Sequence, residues 1–389
     1  MPPTPSRVGA CSTEAARRAS SSSESSIDPQ TRQSAIDTAF NRSVPSSQRR
    51  CMNDHPVAVA RDTTGCASPC ATVVGQSFPM NGLRRTLLLI LAASGITLHG
   101  EENGSEPMRV ILETDMTFDV DDVGALAVLH ALADDGLAEI LAVNFNEVHP
   151  NGVAAIDAIN TFYGRGDIPI SRYPGELADP DQSRYLDHVA RFPHTTDADN
   201  APAAVDLYRR VLLGQPDRSV TIISVGFLNN LSDLLEADTD LVGAKVARLV
   251  VMGGRHNDRF NLVRHDLVET SQRVFEHWPT PLAISDHGGR LRTGATLASA
   301  SPENPVREAY YRWFGNAFKG RSSWDQVAVL YGVLGTGVWF DEVSTGTASL
   351  PNGYSLQLTA GFRTYVASRR DDQELTAFIE TLMTQAPAP

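Results

Sequence analysis

Asp115, Asp119, Asp121 and Asp122 fall within eight positions of one another in the stretch ILETDMTFDVDDVGALAVLHAL (residues 111–132), with Glu113 just upstream. An apolar run precedes them and a helical pattern follows. Four carboxylates crowded between two buried elements repel one another and resist desolvation, so something must neutralise them. Asp121 and Asp122 stand at a helix start, where free backbone N–H groups and the helix dipole favour anions. Capping accounts for one or two acids, not four, and Asp115 lies at the buried end of the preceding run. An oxygen-rich cluster of this kind suits a bound hard cation, Ca2+ or Mg2+.

The elements that must position these acids alternate along the chain. MRVILET, AEILAVNF, DIPIS, SVTIISVG, ARLVVMGG and TPLAISD read as strands. DDVGALAVLHALADDG (closed by Gly136), NGVAAIDAINTFYGRG and NNLSDLLEA read as helices, and a final helix spans 371–384. This pattern predicts an α/β fold, an open, mainly parallel sheet flanked by helices. The turn-rich tail VWFDEVSTGTASLPNGYSLQLTAGFRTYVAS predicts extra C-terminal antiparallel strands. In open sheets of this class the site lies outside the carboxyl ends of the strands, at a switch point. Distinctive polar residues fall there: the acidic cluster, Asn144 and Asn146, GFLNN at 226–230, GGRHNDRFN after LVVM, and Asp325 opening the helix in SSWDQVAVLYGVLG.

An acidic motif after a first strand also occurs in haloacid-dehalogenase-type phosphotransferases, but the position of their nucleophilic Asp is Glu113 here. ETDMTFDVDDVGAL instead resembles the N-terminal fingerprint of nucleoside hydrolases of the inosine-uridine-preferring N-ribohydrolase type, in the variant with a D-x-D-D ending. The resemblance runs in order from about residue 109 to about residue 340, through AIDAINTFYGRGDIPI, SVGFLNNLSDLL, VVMGG followed by FN, WPTPLAIS and SSWDQVAVLY. It implies a Ca2+-dependent hydrolase of N-glycosyl bonds that acts on a small-molecule nucleoside or related riboside, giving ribose and free base. By that resemblance Asp115 binds Ca2+ and serves as general base, Asp122 and Asp325 ligate the metal, and Asn229 offers it a backbone carbonyl. Asp121, Asn146 and Asn261 would hold ribose hydroxyls, with Asp119 an extra acid at the substrate and Trp324 a stacking surface for the base. The chemistry fits the need: breaking an N-glycosidic bond builds oxocarbenium charge, which calls for a water, a base and nearby anions.

The chain departs from the family pattern in three places, at four residues. Met116-Thr117 replaces a P-G pair, Arg259 replaces a Glu two residues before the sugar-binding Asn, and Trp324 replaces a His that can protonate the leaving base. The leaving-group acid is therefore unassigned, with His256, His265 and His287 as candidates. A non-catalytic nucleoside- or sugar-binding protein on the same fold is the alternative that Arg259 supports.

Composition bounds the rest. With 42% hydrophobic and 20% charged residues the chain has the balance of a soluble globular protein. Asp plus Glu exceed Lys plus Arg by 46 to 33, and no basic patch interleaved with aromatics occurs, which argues against a nucleic-acid polymer as partner. Residues 1–79 are rich in Ser, Arg and Gln without periodicity and are expected to be disordered. Residues 80–105 read as a signal peptide and linker: Arg84 and Arg85 precede a short apolar run at 87–93. Such a leader points to Met80 as the true start and to export, without stable membrane insertion after cleavage. All four cysteines lie upstream of it, so the domain at 106–389 depends on neither disulfides nor thiols. A homo-oligomer is left open.

Overall fold

Strands buried on both faces read as continuous apolar runs, and MRVILET, the first of them, forms β1 (Met108–Thr114) inside an eight-stranded sheet. The computed structural model describes residues 106–388, so the expected leader, the low-complexity segment and the cysteines lie outside the described residues. Downstream of β1 come α1 (Asp121–Asp134), β2 (Ala138–Phe145), α2 (Gly152–Phe162), β3 (Ile170–Arg172) and the short α3 (Leu186–Val189). The middle of the chain forms α4 (Ala204–Leu213), β4 (Val220–Ser224), α5 (Asn229–Lys245), β5 (Val246–Met252), α6 (Val268–His277) and β6 (Leu282–Ser285). The remainder forms α7 (Pro305–Trp313), α8 (Trp324–Leu334), β7 (Phe340–Val343), β8 (Thr347–Ser349), β9 (Ser355–Gln357), β10 (Arg363–Ser368) and α9 (Asp372–Met383). No helix among the described residues is long and apolar enough to cross a membrane.

The strand order is β3-β2-β1-β4-β5-β6-β10-β7. β1 pairs in parallel with β2 on one side and β4 on the other, so the order reverses beside β1 and puts the switch point there, where sheets of this kind form their crevice. The C-terminal strands divide. β10 joins β6 in parallel, β7 runs antiparallel at the edge, and β8 with β9 forms a separate antiparallel pair. The expected strand at DIPIS begins only at Ile170, because Pro169 has no N–H for the ladder; its carbonyl accepts from Val143 N at 3.1 Å instead.

Alternation along β1 sends Val110 and Leu112 to one apolar layer, with α1, α2, α8 and α9, and Ile111 to the other, with α4, α5 and α6. α1 is buried along nearly its whole length and packs against α8 and α9. That approach demands a glycine at 124: a Cβ there would lie 2.3 Å from Gln326 Nε2 and 2.6 Å from the Tyr310 hydroxyl.

Candidate metal centre and active site

Because α1 and α8 pack together, their first turns meet. α1 brings Asp121 and Asp122, α8 brings Asp325, and one carboxylate oxygen from each of the three lies within 4.8 Å of the others. All three are buried. Asp121 Oδ2 and Asp325 Oδ1 have no hydrogen-bond partner among the described residues. Burial, then the neighbouring carboxylates, holds Asp121 and Asp325 well above the usual carboxylate range. Asp122 is raised for the same reasons, although the Thr114 hydroxyl donates to its Oδ1 at 2.5 Å. Two helix N-termini aimed at one set of anions lower the cost of the crowding but do not remove it. Unsatisfied hard oxygens around one point fit a divalent cation such as Ca2+.

Asp115 follows β1 and adjoins this group, close to the Asp122 carboxylate. Burial pushes Asp115 up to about 8, the Asp181 carboxylate adds to this, and the Arg264 guanidinium opposes it. The fit beneath Asp115 is tight. A Cβ at Gly226, just past β4, would lie 2.4 Å from Asp115 N and 2.5 Å from Asn146 Oδ1. The sequence reading divides the acids into Asp115, Asp122 and Asp325 for metal and Asp121 for sugar. The closest trio in the structure contains Asp121, with Asp115 adjoining it.

The asparagines differ in what they leave available. Both Asn146 donors are engaged within the protein, by Glu113 Oε2 at 3.0 Å and the Phe227 carbonyl at 2.9 Å, and its Oδ1 accepts from Phe227 N at 3.2 Å. Its side chain braces the loop after β4. Asn229, in the first turn of α5, donates to the Asn146 carbonyl at 2.9 Å, and Asn261 donates to the Val225 carbonyl at 2.6 Å. The amide oxygens of Asn229 and Asn261 are buried and have no partner among the described residues. Asn261 is placed by Asp258, whose carboxylate accepts from the N–H groups of Gly254, Phe260 and Leu262. Arg259 between them is exposed.

Two residues to which the sequence assigned no role at the site organise it. Arg321 holds Asp119: Nε lies 2.9 Å from Oδ1 and Nη2 lies 2.5 Å from Oδ2. Its guanidinium carbon lies 5.3 Å from the Trp313 ring centre and 5.1 Å from that of half-buried Trp324. Asp119 thus has its counter-ion inside the protein, and Trp324 packs on that counter-ion. Glu113 is the other. Burial pushes its carboxyl up to about 7, against donation from Asn230, the Tyr208 hydroxyl and Asn146. These donors tie β1 to the segments after β2 and β4 and to α4. Arg321 carried no local signal, being 202 positions from Asp119. Glu113 had one, an acid inside an otherwise apolar strand. Of the candidate acids, His256 bonds the Ser349 hydroxyl at 3.0 Å and His287 faces Asp372 at 3.4 Å. The His265 side chain is buried beside Phe227, ring centres 4.7 Å apart.

No family model and no curated protein matches the chain. Solved structures do match it. The inosine-uridine preferring nucleoside hydrolase of Bacillus anthracis is similar with a TM-score of 0.55 and 15% identity, over 71% of this chain and 99% of that one. The effector protein XOO4466 is similar at 0.58 and 16%, over 79% and 99% of the two chains. The type III effector protein XopQ, complexed with adenosine diphosphate ribose, gives 0.56 and 13%, over 80% and 100%. At these identities the likeness is one of architecture: the mainly parallel sheet with its flanking helices is a nucleoside hydrolase-like fold.

Proposed function

We propose that the chain hydrolyses the N-glycosidic bond of a small-molecule ribonucleoside or related riboside, with Ca2+ held in the acidic crevice. One observation carries this reading: three buried carboxylates from two helix starts converge within 4.8 Å, two of them with unpartnered oxygens, beside a fourth acid, Asp115. Asp122, Asp325 and Asp115 would hold the cation, helped by the Asn229 backbone carbonyl, with Asp121 close enough to join them. When bound, the cation would orient and acidify a water and fix the sugar diol. Asp115 takes the proton from the attacking water, as a carboxylate placed beside the cation and the water it would hold. Asp121 and the free amide oxygen of Asn261 accept from ribose hydroxyls, and the assembled anions face the positive charge that develops on the sugar. Asn146 acts one step back, by fixing the loop that carries Phe227 and Asn229. The acid that protonates the leaving base is unassigned. Export from a start at Met80 completes the reading, with residues 1–79 dispensable.

The test is a riboside panel, with and without chelator, scored for free ribose. Chelator-sensitive ribose release from any member supports the reading, and its absence from all of them with Ca2+ present overturns it. A non-catalytic riboside-binding protein is the second reading. Asp119 and the Asn146 amide, both expected at the substrate, are bound internally, and this favours it. It requires saturable binding on the same panel without turnover.

A further inference from the structure

We propose that Glu147, Asp181 and His265 form a second cation site, suited to a transition-type divalent ion such as Zn2+ and distinct from the Asp121, Asp122 and Asp325 group. The three residues come from loops after β2, β3 and β5, at the carboxyl edge of the sheet, and one ligand atom from each lies within 4.8 Å of the others. Each has a lone pair to give. Glu147 Oε2 accepts from the N–H groups of Val148 and His149, whereas Oε1 accepts from Asp181 N alone among the described residues. Asp181 Oδ1 is held by Arg264, and its Oδ2 has no partner among the described residues. The His265 side chain is 1% exposed, and neither of its ring nitrogens has a hydrogen-bond partner among the described residues.

A doubly unpartnered buried imidazole is the independent sign of a ligand, because leaving such atoms unsatisfied is costly. A direct bond to Asp181 does not remove the cost: Nε2 lies 3.7 Å from Oδ2, beyond hydrogen-bond reach. That spacing does suit two atoms sharing one ion, since metal–ligand bonds of about 2.0–2.1 Å at tetrahedral angles put neighbouring donors roughly 3.3 Å apart. The backbone is also held for this placement, with His265 and Asp266 both in the left-handed region at φ 54° and 59°. Two carboxylates against one guanidinium leave net negative charge for the ion to neutralise. An imidazole among the donors selects zinc-like ions over calcium, which prefers an all-oxygen shell. A cation here ties together three loops around the Asp115 end of the crevice.

The inference does not depend on the riboside reading, and a chain inactive on every riboside still tests it. The full chain, saturated with millimolar Ca2+, is titrated calorimetrically with Zn2+, and the loaded protein is examined by zinc X-ray absorption. One zinc per chain with an imidazole nitrogen in its shell is expected. His265→Gln and Asp181→Asn should each weaken it by at least roughly tenfold. Circular dichroism melts verify that both variants fold; if His265→Gln does not, Asp181→Asn decides. Zinc uptake unchanged in a folded variant, uptake only by displacing calcium, or no uptake at all overturns the proposal.

Discussion

Arg321 closes on Asp119 through two nitrogens, at 2.9 and 2.5 Å, with the guanidinium lying close to the Trp313 and Trp324 rings. One of the crowded acids thus has a permanent counter-ion supplied by the fold, while Asp121, Asp122 and Asp325 are grouped closely enough to hold a metal ion.

Removing the permanent counter-ion should be costly. Arg321→Met strands the Asp119 carboxylate, and breaking a buried pair from one side typically costs about 3–5 kcal/mol. Asp119→Asn in that background should restore much of the loss. Urea melts of both proteins measure it. An unaltered melt for Arg321→Met would mean that the pair contributes nothing to stability.

Stability of the calcium-free protein should fall as pH rises across the neutral range. Asp115 sits at about 8 in the folded chain, above its unfolded value near 4. Its stabilising contribution is therefore complete below about pH 4 and is lost as pH climbs through about 8. A cation reverses the penalty by replacing the proton, so the Tm gain from millimolar calcium should grow from pH 5 to pH 8. Paired melts in calcium and in chelator at four pH values test this, and a gain that shrinks with pH contradicts it.

The two kinds of acid separate kinetically. Asp115→Asn keeps an oxygen near the crevice but cannot accept a proton, so turnover should fall about a hundredfold to ten-thousandfold while ligand binding falls much less. Asp325→Ala should weaken calcium and ligand together. If Asp121 is a metal ligand and not a sugar contact, Asp121→Asn will resemble Asp325→Ala in calcium titrations. Near wild-type turnover in calcium-loaded Asp115→Asn removes Asp115 as the base.

Glu113 should behave as a bracket. In Glu113→Gln one carboxylate oxygen becomes an NH2 facing donors from Asn146, Asn230 or Tyr208. A lost buried bond costs about 1–3 kcal/mol. The loops after β2 and β4 should loosen, raising KM more than it lowers kcat. A stability equal to wild type would show that the three donors find other acceptors.

The parallel strands were legible, because β1, β4 and β5 are each built around an apolar run, VIL, II and LVVM. Helices α4, α6 and α7 gave less signal, since each buries only three or four residues and leaves a narrow apolar stripe in a polar segment. Asp121, Asp122 and Asp325 could be found because each occupies a first helical turn, where local sequence marks the spot. The Arg321 clasp could not: Asp119 and Arg321 meet only through the packing of α1, α7 and α8. The internal use of Asn146 was hidden for a related reason. Its partners, Glu113 on β1 and Phe227 in the loop after β4, are far away in the chain, and the sequence does not say which way an amide will turn.

Asp115 caps β1, a strand hydrogen-bonded on both sides and buried through its last five residues. Such segments exchange their amide protons mainly through opening of the whole domain, not by local fraying. The acids are thus mounted on some of the least yielding backbone in the chain. A cation that binds them raises the free energy of that global opening, so its protection should spread across β2 and β4, far beyond the residues it touches.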